Sequence, residues 1–144
     1  MVRLGLAAGA ALFCTTAALA SGTVDPVGTW NTGRGPLTIA KAADGTFTLR
    51  FEQFPGHATG TLYDRGDGDM RMKGVWFDVE TVEECAEASE GSTFWGGFDV
   101  AFHGPPTFDR AVFQGVWTFC ALIKPTEGLQ VTEGVSFSGE KQGE

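Results

Sequence analysis

From residue 27 onward, apolar side chains recur at every second position, the spacing that puts them on one face of an extended strand. The longest example is the stretch 92–122, STFWGGFDVAFHGPPTFDRAVFQGVWTFCAL. In its first arm Phe94, Gly96, Phe98, Val100 and Phe102 alternate with Trp95, Gly97, Asp99, Ala101 and His103. In its second arm Phe113, Gly115, Trp117 and Phe119 alternate with Val112, Gln114, Val116, Thr118 and Cys120. The intervening 104–110 carries Pro105 and Pro106, which donate nothing to a sheet ladder, so the two arms read as an antiparallel hairpin. The same alternation predicts strands over 27–31, 35–41, 46–54, 58–63, 69–78 and 129–138. Turns fall at Asp44-Gly45, a pair suited to the positive φ of two-residue hairpin loops, at Pro55-Gly56 and across 64–68. Residues 80–92 break the pattern, leaving a short helical turn and a tied-down loop both open.

Helical spacing is absent after the first twenty residues, and 21 glycines with 12 phenylalanines favour an all-β domain. Several strands repeat glycine, one residue, then a large apolar side chain: Gly28-x-Trp30, Gly60-x-Leu62, Gly74-x-Trp76, Gly96-x-Phe98 and Gly115-x-Trp117. Residues two apart share a face, so each glycine leaves a bare patch over which a neighbouring strand's ring can lie while the sheet bends. The expected fold is an antiparallel up-and-down meander of about eight strands, a small closed or nearly closed barrel, in a single domain spanning 21–138. The polar end, 139–144, is expected to be a flexible tail.

Residues 1–20 read as a secretory signal peptide: Arg3, an apolar run over 4–13 too short to span a bilayer, and Ala18-Leu19-Ala20 as the cleavage site. Its removal takes Cys14 and leaves Cys85 and Cys120, one before the first arm and one at the end of the second, where a hairpin brings them together. In an oxidising compartment they are expected to form a disulfide contributing ~3 kcal/mol. The mature chain is then periplasmic or secreted, with no membrane insertion after cleavage. It carries 9 Lys and Arg against 18 Asp and Glu once Arg3 is lost, which repels nucleic acid and anionic lipid.

The segments Gly28-Thr29-Trp30, 72–76 (MKGVW), 94–96 (FWG) and 113–120 (FQGVWTFC) resemble a class of uncharacterised bacterial exported proteins that repeat G-x-W along a β-meander. That resemblance implies a scaffold rather than an activity. A second resemblance is to the avidin-like biotin-binding barrels, in Gly28-Thr29-Trp30-Asn31 followed by Leu37-Thr38-Ile39 and Asp44-Gly45, and in Trp95-Gly96-Gly97-Phe98. Pro36 stands where that family has Ser, no second Trp follows Trp76 at its spacing, and its closing W-x-x-T-x-x-G-x-D is echoed only by Thr132 and Gly134. Calycin barrels of the lipocalin kind also open on G-x-W.

Catalytic signals are absent. There is no G-x-S-x-G turn, His57 and His103 lie beside turns, and the DRGDGD run over 64–69 lacks the distal Glu of a calcium loop. The glutamates at 83, 84, 87 and 90 read as a solvated loop face. Nothing points to a metal or other cofactor, and a non-enzymatic barrel is expected. Two function classes stay open. A small apolar or ring-shaped ligand would bind at a barrel mouth through Trp30, Asn31, Trp76, Trp95 and Trp117, or those rings fill the core and an extracytoplasmic protein partner docks outside. Oligomeric state is not legible.

Overall fold

The computed structural model describes residues 23–64, 69–79, 83–105, 107–123 and 134–143. The expected leader over 1–20, the centre of the 64–69 turn and the first half of the last predicted strand lie outside them. Eight strands follow in order: β1 (Gly28–Thr32), β2 (Gly35–Lys41), β3 (Phe47–Phe51), β4 (His57–Asp64), β5 (Met70–Phe77), β6 (Trp95–His103), β7 (Val112–Trp117) and β8 (Val135–Lys141). Each pairs antiparallel with the next, and β8 pairs with β1, so the sheet closes into a barrel. Closure leaves none of the described strands at an unpaired edge, the usual liability of a short antiparallel sheet.

The glycines do what their spacing implies. Register places Gly60 opposite Gly74 and Gly74 opposite Phe98, and the Phe98 ring lies across both glycines. Trp76 covers Gly96 in the same way, and Phe113 covers Gly139. The inward set therefore alternates bare backbone with large rings. Trp30, Leu37, Ile39, Phe47, Leu49, Phe51, Met72, Trp76, Phe98, Val100, Phe102, Phe113, Trp117 and Phe137 form one buried cluster.

Three local details differ from the sequence reading. The β2–β3 connection is a five-residue turn, 42–46, not a two-residue one: Gly45 N donates to Ala42 O and only Gly45 takes positive φ. The Asp44 carboxylate accepts from the Thr46 hydroxyl and amide, which lowers its pKa. The polar C-terminus is no frayed tail as far as Lys141. Gly139, Glu140 and Lys141 face Thr32, Asn31 and Trp30 and complete the barrel, held by ladder hydrogen bonds that need no apolar side chain. The described part of the acidic segment is a loop. Glu90 and Gly91 at positive φ reverse it, and the Cys85 and Ser89 amides donate to Thr93 O and Ser92 O.

Cys85 and Cys120 form the expected disulfide, tying this loop to the end of the hairpin across a sequence separation of 35. Cys120, at positive φ, turns the chain back so that residues 121–123 lie on Gly97, whose amide donates to Ala121 O. Replacing both cysteines by serine is expected to lower unfolding free energy by about 3–4 kcal/mol for a loop of this length. Urea denaturation of the oxidised protein and the double variant measures it.

Candidate functional site

The structure separates the predicted ligand residues. Trp30, Trp76 and Trp117 point into the barrel and are 0%, 2% and 3% exposed. Trp76 and Trp117 adjoin at one end, with ring centroids 5.9 Å apart, while Trp30 sits towards the other, against Phe102 and Phe113. Phe113 meets Phe137 at 4.9 Å, and Phe137 stacks on Trp117 at 5.2 Å, so a continuous column of rings joins the two ends. Asn31 lies exposed on the outside, accepting from Gln142. Trp95 is also on the outer face, its indole donating to Glu87 O. The interior indoles of Trp30 and Trp76 donate to Pro26 O and Thr118 O. Among the described residues the buried Trp117 Nε1 has no acceptor, and the Arg34 guanidinium covers its ring at 4.6 Å.

The other concentration of polar chemistry is on the outer face of β4–β7. Register sets Tyr63 opposite Arg71 and Lys73 opposite Asp99, which brings the phenol, guanidinium and carboxylate together. Arg71 and Asp99 are 4% and 5% exposed despite facing outward. The Tyr63 hydroxyl donates to Asp99 Oδ2, and Arg71 Nε donates to Tyr63 Oη and Asp99 Oδ1, both at 3.2 Å. Arg71 Nη2 lies 3.2 Å from the same Oδ1 yet makes no hydrogen bond. Beside the cluster a groove of about 330 Å³ opens over Ala101, walled by Arg71, Gln114 and Val116, with Asp69 and His103 at one end. His103 Nδ1 is 3.6 Å from Asp69, and its ring packs on Phe108.

Burial, then the hydrogen bond to Asp99, raises the Tyr63 pKa above the usual 10.0. Burial opposes the Arg71 charge, but the Tyr63 hydrogen bond and Asp99 more than offset it, leaving its pKa raised. A raised tyrosine pKa means the folded state holds a proton that the unfolded state releases. The resulting stability is complete below pH about 10 and is lost as pH rises through the folded value. Tyr63 is the single tyrosine, so absorbance at alkaline pH reads it alone. Its midpoint is expected above that of the denatured chain, and Tyr63→Phe should flatten the alkaline slope of stability.

This cluster was not among the predicted sites. Alternation assigns Arg71 and Asp99 to the solvent face, where a charge needs no partner. The signal that could have marked them is β6 itself, where Asp99 is the single acid in a run from Phe94 to Phe102 that is apolar or small on both faces. His57 packs on Phe77, and His103 meets Asp69. Among the described residues no three His, Cys, Asp or Glu side chains converge as metal ligands. No protein-family model, curated protein or solved structure matches the chain.

Proposed function

We propose that the protein is an exported, non-enzymatic barrel whose interior is a structural core and whose recognition takes place on its outer surface. The observation that carries this reading is the ring column: the three inward tryptophans are buried and packed edge or face against Phe102, Phe113, Phe119 and Phe137. A container for a small molecule keeps an apolar space lined by such rings. Here the rings take up each other's surface. The Cys85–Cys120 bond and the leader-like first twenty residues support an oxidising compartment outside the cytoplasm.

One observation favours the second reading, a ring-shaped ligand at the mouth in the manner of the avidin-like barrels. Trp117 Nε1 is a buried donor without an acceptor among the described residues, under a guanidinium held in a turn between Gly33 and Gly35. Tryptophan fluorescence titrated with biotin separates the two. The filled core expects no saturable change, and a saturable quench or shift abolished by Trp117→Phe would replace it with the second reading.

A further inference from the structure

We propose that the Cys85–Cys120 bond is a reversible redox latch: a dithiol reductant opens it by attack on Cys120 and frees the acidic loop 83–92, while the barrel stays closed. This goes beyond the filled-core reading and does not depend on it.

Three observations carry the proposal. The bond lies outside the eight strands, joining the β5–β6 loop to the chain just after β7, and the barrel closes through strand pairing without it. Its two ends differ in access, since Cys85 is buried and Cys120 is exposed. An incoming thiolate approaches along the S–S axis from behind the sulfur it attacks, so it meets Cys120 and expels Cys85. Finally, the described non-glycine residues at positive φ are Asp78, Glu90 and Cys120: one before the loop, one at its reversal and one at its anchor. Such backbone persists only where its surroundings impose it, and it gathers at active sites, clamps and switch segments.

Little else holds the loop. Among the described residues, the hydrogen bond that joins 83–91 to a strand runs from the Trp95 indole to Glu87 O, while the Cys85 amide on Thr93 O and the Ser89–Ser92 pair close the loop on itself. Glu83, Glu84, Glu87 and Glu90 are all exposed there, in a chain of net charge −8, so their repulsion favours release once the covalent tie is gone. In the exchange, the reductant's thiolate forms a mixed disulfide with Cys120, and Cys85 leaves as a thiolate and takes up a proton. The second thiol of the reductant then attacks its partner sulfur in the mixed disulfide and releases Cys120 as a thiol. Two electrons and two protons pass to the cysteines, and the dithiol ends as a disulfide.

The test treats the full oxidised protein with dithiothreitol in the absence of denaturant, following the four indole N–H signals by nuclear magnetic resonance and cleavage by a glutamate-specific protease. The Trp95 signal is expected to shift as its Glu87 acceptor leaves, with those of Trp30 and Trp76 held by Pro26 O and Thr118 O. Cleavage after Glu83, Glu84, Glu87 and Glu90 should accelerate about tenfold or more, and reoxidation should reverse both changes. The variant Cys85→Ser with Cys120→Ser should be cut at the fast rate with and without dithiothreitol. A bond that resists dithiothreitol until urea is added overturns the latch, as does unchanged cleavage after reduction or a variant that stays protected. Collective movement of all four indoles on reduction also overturns it, because the bond is then a staple of the whole fold.

Discussion

Replacing Gly74 by alanine is expected to destabilise the barrel by at least ~3 kcal/mol, the upper range for overpacking. A Cβ there would lie 1.9 Å from the Thr59 carbonyl oxygen, 2.7 Å from the Gly60 Cα and 2.7 Å from the Phe98 ring. Two of those three atoms are backbone of the adjacent strand, so no side-chain rotation relieves the clash. Relief requires β4 and β5 to move apart, which breaks the ladder between them. Gly33, with open space around its Cβ position, is the control: Gly33→Ala should change stability by no more than about 0.5 kcal/mol. Urea unfolding of both variants measures the difference. Equal, small effects would mean that the sheet is not curled tightly at Gly74.

Asp99→Ala is the second large effect, at about 3–5 kcal/mol, because it leaves the buried Arg71 guanidinium without its counter-charge. Arg71→Met alone strands the carboxylate in the same way, although the Tyr63 hydroxyl still donates to it. The combination Arg71→Met with Asp99→Leu should cost less than either single change, since desolvation of both charges disappears along with their attraction. By contrast, the Arg110–Glu140 pair is 61% and 58% exposed, and Arg110→Ala is expected to cost under about 1 kcal/mol. A double-mutant cycle on unfolding free energies checks the buried pair. Additive losses at Arg71 and Asp99 would show that the two charges do not act as a unit.

The two-residue period made the strands and their inward faces legible, because a strand with one wet face must alternate. The glycine-aromatic spacing was legible for a related reason: Phe98 lies on Gly60 and Gly74 only because residues two apart share a face. The cysteine pairing followed from the hairpin between them. Two things were hidden. The end of β8 is polar, and its place in the barrel comes from backbone pairing with β1 that leaves no mark on side-chain choice. The Tyr63–Arg71–Asp99 cluster depends on the registers of β4 with β5 and of β5 with β6, and a one-residue slip in either would scatter it. Side-chain types alone named the ring-bearing candidates Trp30, Trp76, Trp95 and Trp117; alternation already set Trp95 on the outward face with Asp99, but did not show that Trp30 lies beyond Phe113 from the other two.

Whether indole and phenyl groups fill the barrel is tested most directly by a crystal of the oxidised protein under xenon pressure, since xenon enters dry apolar cavities. A filled interior expects no xenon among Trp30, Trp76, Trp117 and Phe137. A well-occupied xenon site lined by two or more of those rings would contradict it.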